Sequence, residues 1–250
     1  MKGGLARPVE FLVTCEHGGK RISSRYRACF AGQEALLESH RGFDPGALAM
    51  ARTLAAQLKA PLIFSTVSRL LVDLNRSQGH PQLHAACIRL LPEACRRQII
   101  EKYYLPFRAK VEMAIVQALG HGKRVIHFSS HSFTPILDGL VRTADVGLLY
   151  DPTRTDEAAL CRQWHICLKA REPSLRVRRN YPYCGKSDGF TSFLRRRFPA
   201  DQYLGIELEI NQSSVLSSGK AWRQRRALVM ESLTQALDQL GRKATDRSWV

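Results

Sequence analysis

The stretch Ser68-Arg69-Leu70-Leu71-Val72-Asp73-Leu74-Asn75-Arg76 constrains this chain more than any other. Its apolar and polar residues nearly alternate, and successive side chains of a strand point to opposite faces. Taken as a strand, it sends Leu70, Val72 and Leu74 into a core. Arg69, Asp73 and Asn75 then face the other way, with Arg76 just beyond. An apolar strand carries such residues on one face when that face meets something polar, because unpaired buried charge is too costly. A plain ion pair between Arg69 and Asp73 at a sheet edge would explain part of the pattern, so the neighbouring segments decide.

Those neighbours read as alternating strands and helices. Val9 to Cys15 is a continuous apolar run of the kind found in buried strands. Glu16-His17-Gly18-Gly19 follows, and two glycines after a strand mark a sharp turn where backbone can approach a ligand closely. On strand alternation His17 shares a face with Val13 and Cys15, while Glu16 faces away. A short helix is expected near Gln33–Ser39. Asp44-Pro45-Gly46-Ala47 then opens a helix whose apolar residues are Leu48, Ala51, Leu54, Ala55 and Leu58, with Asp44 as its N-cap and Pro45 at the first helical position. Pro61 to Val67 is the next strand, running into Ser68–Arg76, so strand, helix and strand make a parallel β-α-β unit.

Further on, Pro92 to Leu119 carries a helical stripe (Ile99, Tyr103, Phe107, Val111, Ile115, Leu119) that Pro106 should kink or split. Its aromatic residues are most simply core packing. Arg124 to His131 is a strand with Val125, His127, Ser129 and His131 on one face. Asp145 to Tyr150 is another strand, Asp156 to Ala170 a helix, and Val177 lies in a short basic strand. Gly185 to Gly189 matches G-x-S-x-G, but a loop containing Pro182 precedes it where a nucleophile elbow needs an apolar strand. Tyr203 to Ile210 is the last strand, with Glu207, Glu209 and Asn211 on one face. A final helix is expected from Lys220 to Leu240, with a frayed tail from Gly241.

Composition narrows the class. With 250 residues and no linker, repeat or low-complexity segment, one α/β domain over residues 1–250 is expected. Lys and Arg number 38 against 22 Asp and Glu, a net charge of +16 that favours anionic partners. The basic residues are dispersed, with no long tail and no aromatic-rich basic motif, so the charge reads as a solvated surface that steers anions. Nucleic acid is not the expected partner. Seven cysteines without a Cys-x-x-Cys pair argue against a disulfide framework and a Cys-rich zinc module. No apolar h-region follows Met1-Lys2-Gly3-Gly4 and no run reaches the length of a membrane span, so a cytoplasmic protein with reduced thiols is expected.

The unusual polar residues gather at the ends of expected core strands, where open α/β sheets place their sites. Two histidines, an aspartate and a nearby glutamate are parts for a catalytic zinc site with three protein ligands and one open position. A carboxylate takes a proton from water, an arginine holds the developing oxyanion, and an Asn-Arg pair clamps a carboxylate. The chemistry implied is hydrolysis of an amide.

Cys15-Glu16-His17-Gly18-Gly19, Asp44-Pro45-Gly46-Ala47, Ser68-Arg69 with Asp73-Leu74-Asn75-Arg76, His131-Ser132-Phe133-Thr134-Pro135 and Glu207-Leu208-Glu209-Ile210 together resemble the N-formylglutamate amidohydrolase family, in order, from Val9 to Asn211. The resemblance implies a three-layer α/β/α sandwich with a mixed central sheet, like that of the zinc carboxypeptidases and aspartoacylase. It implies His17 and His131 as zinc ligands, Arg69 as the oxyanion arginine, Asn75 and Arg76 as the substrate-carboxylate pair and Glu209 as general base. One departure stands out. The relatives take two ligands from His-x-x-Glu, and here Lys20 holds the second place. Asp44 is the expected substitute, with Glu16 as its rival. The function implied is zinc-dependent cleavage of a small anionic N-acyl amino acid, such as N-formylglutamate. A carboxypeptidase-like peptide hydrolase and a basic nucleic-acid-binding protein on an inactivated hydrolase fold are the alternatives.

Overall fold

The computed structural model describes residues 7–246, with side chains to residue 241. Met1-Lys2-Gly3-Gly4, expected to carry no leader, lies outside the described residues. In chain order the elements are β1 (Val9–Cys15), a 3-10 segment (Ser24–Phe30), α1 (Glu34–Glu38), α2 (Ala47–Leu58), β2 (Leu62–Phe64), α3 (Ala86–Arg89) and α4 (Glu93–Ile99). A π-helical turn (Ile100–Tyr104) leads into α5 (Leu105–Gly120). There follow β3 (Arg124–Phe133), β4 (Ile136–Leu137), β5 (Leu140–Val141), β6 (Val146–Leu149), α6 (Thr155–Arg171), β7 (Val177–Arg179), α7 (Phe190–Arg197), β8 (Tyr203–Asn211), α8 (Gln212–Ser217) and α9 (Gly219–Asp246).

Six strands form one mixed sheet in the order β2-β1-β3-β8-β6-β7. Every pairing is parallel except β6 with β8. The β1-α2-β2 unit is parallel, as the sequence predicts. Alternation along the strands builds a core on each face. Val13, Phe128, Leu148, Ile206 and Leu208 pack with α2, α6 and α9 residues such as Met50, Trp164 and Leu233. Leu12, Val125 and Tyr203 point the other way, against Val111 and Ile115 of α5, Phe190 and Leu194 of α7, and Tyr26. The result is the expected α/β/α sandwich with a mixed sheet.

Two expectations about elements need correction. Ser68–Arg76 is not a strand. Its backbone hydrogen bonds close turns, from Leu71 N to Ser68 O and from Arg76 N to Asp73 O, or reach other loops, from Arg69 N to Gly42 O and from Asp73 N to Leu83 O. Leu71 is as buried as Leu70, Val72 and Leu74, which no two-faced strand would allow. The inferred split survives in another form, with four apolar side chains held in the core and Arg69 and Asp73 turned outward into a cleft.

Asp44 does not cap α2. The helix begins at Ala47 behind Gly46, whose φ of +81° is a left-handed conformation natural to glycine. Asp44 is therefore released from capping. Pro106 splits its helix, as expected, because the α-helical run is interrupted by the π turn between α4 and α5. It falls at the start of α5, and the widened π turn before it accommodates the ring and the missing N–H. At the carboxyl end, α9 continues through the expected frayed segment to Asp246, and residues 247–250 lie outside the described residues.

Candidate functional site

The sheet delivers the polar residues to one place, the carboxyl ends of β1, β3 and β8. In register, Thr14 pairs with Ser129, Ser129 with Glu207 and His131 with Glu209. Thr14, His127, Ser129, His131, Glu207 and Glu209 are all buried. Strand β1 ends at Cys15, so alternation stops there and the turn at Glu16-His17 swings His17 over to the His131 side, with ring centroids 5.1 Å apart. Alternation, which ends with the strand, therefore does not assign His17 a face. The following glycines serve packing rather than a ligand, since a Cβ on Gly18 or Gly19 would lie 2.8 Å from the carbonyl oxygen of Ser65 or Thr66. The Asp44 N–H donates to the His17 carbonyl at 2.9 Å and ties the two loops together.

Asp44 Oδ2 lies 3.3 Å from His17 Nδ1 and 2.9 Å from His131 Nδ1. One ligand atom from each of these residues falls within 4.8 Å of the others, and all three residues are buried. The outer nitrogens are held elsewhere. His17 Nε2 is 2.7 Å from Asp73 Oδ1, and His131 Nε2 is 3.2 Å from Glu16 Oε2 and 2.9 Å from Ser129 Oγ. Carboxylates behind two histidines turn both Nδ1 atoms toward one point, the arrangement that orients metal-ligating imidazoles. Burial works against a charged His131, yet the Asp44 and Glu16 carboxylates raise its pKa well above the imidazole range. The pocket therefore favours positive charge, and two nitrogens with one carboxylate oxygen suit zinc. The residues fit a bound cation.

The other carboxylates divide by their partners. Glu16 Oε1 accepts from Thr14 and Oε2 from Ser129, each at 2.6 Å. Against burial, His131 and these hydroxyls bring its pKa down to about 2. With both oxygens engaged, Glu16 is a support for His131 and a poor rival to Asp44. Asp73 is equally saturated. Its Oδ1 accepts from His17 and from the Asn75 N–H at 3.0 Å, its Oδ2 from Arg69 Nη2 at 2.7 Å. Although burial opposes it, Arg69 and His17 hold Asp73 well below the carboxylate range. Glu207 accepts from the Thr191 hydroxyl. Glu209 differs: its Oε2 is buried and has no hydrogen-bond partner among the described residues. Burial first, then the charges of Asp44 and Glu207, push its pKa up to about 8 despite His131. A buried carboxyl kept near neutrality is poised to exchange a proton.

A cleft of about 660 Å³ is walled by Arg69, Asp73, Arg76, Arg41, Tyr183 and Ile136, and it meets this group through Asp73 and Arg69. Arg69 reaches Asp44 Oδ1 at 3.3 Å through Nη1, so the plain ion pair with Asp73 and a place beside the two histidines are both real. Asn75 Oδ1 accepts the Phe190 N–H at 2.7 Å, and its amide NH2 donates to no group among the described residues. Arg76 Nη1 donates to Asp188 O at 3.3 Å. The sequence reading missed Arg108, hidden in the α5 stripe. This buried guanidinium is 4.5 Å from the ring centroids of Tyr104 and Phe190 and donates to the carbonyls of Leu74 and Arg76 from beneath the Asn75-Arg76 turn. It also missed Asp73 as the partner of His17, though Asp73 stood in plain view beside Arg69. Lys20 lies apart, on the surface, paired with Glu38. The G-x-S-x-G segment is a loop before α7, as expected.

Among curated proteins none matches this chain. A gene product of Agrobacterium tumefaciens of known structure is similar, with a TM-score of 0.80 and 29% identity over 94% of this chain and 93% of that one. An N-formylglutamate amidohydrolase from Ralstonia eutropha JMP134 shares the fold, at a TM-score of 0.62 and 18% identity over 93% of this chain and 94% of that one. A metallo-carboxypeptidase from Burkholderia cenocepacia matches at a TM-score of 0.38 and 12% identity, over 94% of this chain and 58% of that one. The family pattern for N-formylglutamate amidohydrolase matches residues 9–216, a span that holds every strand of the sheet and every side chain of the cleft. The chain belongs to the N-formylglutamate amidohydrolase family, hydrolases that act on an amide.

Proposed function

We propose that the chain is a zinc-dependent amidohydrolase that cleaves the amide bond of a small anionic N-acyl amino acid, with N-formylglutamate as the reference substrate. The observation that carries this reading is the convergence of His17 Nδ1, Asp44 Oδ2 and His131 Nδ1 beside a buried glutamate whose Oε2 lacks a partner among the described residues. Zinc bound there would supply Lewis acidity and a lowered pKa for water.

The protein's own residues supply the rest. Glu209 Oε2 is the proton acceptor, and the same oxygen then returns the proton to the leaving amine nitrogen. Arg69 holds the developing oxyanion with guanidinium N–H groups that Asp73 keeps aimed at the cleft. The Asn75 amide and Arg76 bind the substrate α-carboxylate, and Arg108 braces their turn from below. We read residues 1–250 as one catalytic domain, supported by a single sheet that links elements from Val9 to Asn211. A cytoplasmic location is supported by seven free thiols. No helix among the described residues is long and apolar enough to cross a membrane.

The test is a hydrolysis screen of N-acyl amino acids, starting with N-formylglutamate, with and without a chelator. Amide cleavage abolished by the chelator and restored by zinc is expected. Cleavage that persists after complete metal removal, or none on any acyl amino acid, would overturn the reading.

A further inference from the structure

A set of buried side chains lies behind the cleft, reaching neither it nor solvent. Tyr203, His127 and Thr14 are all fully buried, and they form a continuous line. The Tyr203 hydroxyl is 2.7 Å from His127 Nδ1, His127 Nε2 is 2.8 Å from Thr14 Oγ1, and Thr14 Oγ1 is 2.6 Å from Glu16 Oε1. The line begins in β8, crosses β3 and ends just past β1 on the carboxylate that touches His131 Nε2.

The direction of every hydrogen bond in this line is fixed by elementary bookkeeping. Thr14 Oγ1 and Ser129 Oγ each donate to one Glu16 oxygen at 2.6 Å, so the single Thr14 hydroxyl proton goes to Glu16. The Thr14 oxygen must then accept from His127, which places the His127 proton on Nε2. Burial drives the His127 pKa down to about 4, so the ring is neutral and Nδ1 carries a lone pair. Tyr203, whose hydroxyl has no other hydrogen-bond partner among the described residues, donates to that lone pair. The opposite polarity is self-defeating. A proton on His127 Nδ1 would leave Nε2 bare, draw the Thr14 proton to it and set an oxygen lone pair against Glu16 Oε1.

We propose that Tyr203, His127 and Thr14 are positioning residues for His131: a one-way chain of hydrogen bonds that fixes Glu16 Oε1 from behind, so that Oε2 stands against His131 Nε2 and Nδ1 faces Asp44. This rests on His131 being a metal ligand, as proposed above. Its physical content is that the carboxylate behind the ligand is oriented from three residues away, by a hydroxyl on another strand. Chains of hydrogen bonds with one polarity also strengthen one another in a low-dielectric interior.

Two measurements test it. Nitrogen-15 NMR of the imidazole rings in the metal-free wild type should show His127 neutral at pH 7 with its proton on Nε2. Zinc affinity, read by competition with a chelator, should fall ~10–100-fold in Thr14→Val, the usual effect of losing a group behind a metal ligand, and recover in Thr14→Ser. Tyr203→Phe should weaken zinc several-fold and add nothing when combined with Thr14→Val, because it acts through Thr14. A His127 proton on Nδ1 in the wild type overturns the proposal, and so does wild-type affinity in Thr14→Val or an additive double variant. A wild type that binds no zinc defeats the proposed function and the metal-directed role with it, while the His127 tautomer in the same sample still decides the polarity of the chain.

Discussion

Glu207 and Glu209 stand two residues apart on the same face of β8, and their surroundings give them different work. Thr191 holds Glu207, whereas Glu209 Oε2 is buried without a partner among the described residues. Glu209→Gln should keep the fold and lower kcat by ~10²–10⁴-fold, the range for a lost general base, and Glu207→Gln should cost far less. The pKa of about 8 gives a second readout. A carboxyl whose folded pKa lies above its unfolded value stabilises fully only below the unfolded value, and that contribution drains away as pH rises to the folded pKa. Between about pH 4.5 and 8 the metal-free wild type should therefore lose stability relative to Glu209→Gln, by up to about 1 kcal/mol per pH unit. Thermal melts of both proteins across that window check the sign, and a parallel pH course for the two would contradict it. Strand period alone placed the two carboxylates together. It could not separate them, because the difference lies in a hydroxyl from α7, sixteen positions earlier in the chain.

At the scale of elements, the loop that brings in Asp44 depends on Gly46. A Cβ there would sit 2.6 Å from Val215 Cγ2, at a φ that side chains rarely adopt. Gly46→Ala should cost about 1–3 kcal/mol and, by shifting the start of α2, weaken zinc as well. Melting temperature and chelator competition would show both losses together, and a stable variant with unchanged zinc affinity would mean that Asp44 is placed by something else. The Asp-Pro-Gly-Ala segment was legible as a helix entry, but the residue doing the capping was not. A sequence pattern locates a boundary to within a few residues. Whether Asp44 spends its oxygens on a helix end or on two histidines is decided within that margin. Ser68–Arg76 misled in the same way. Its near-alternation imitates a strand, and only the buried Leu71 and the turn hydrogen bonds distinguish the loop.

For the whole molecule, the parallel order β1-β3-β8 turns three separate sequence motifs into one site, because parallel strands bring their carboxyl ends to the same edge. Motifs at strand ends were therefore legible in the sequence. The supports behind them, Asp73, Arg108 and the Tyr203-to-Thr14 line, were not, since each bridges elements distant in sequence. The net charge of +16 acts at this scale too. For an anionic substrate, kcat/KM should fall as salt rises while kcat stays level, because screening weakens steering and not the bond-breaking step. A kcat/KM indifferent to salt would remove the charge from the account. The central claim is the ligand set, and the most direct measurement is the zinc content of the purified chain beside that of Asp44→Ala. One zinc per wild-type chain and close to none in a folded Asp44→Ala is the predicted result. A folded Asp44→Ala that retains a full zinc would contradict it.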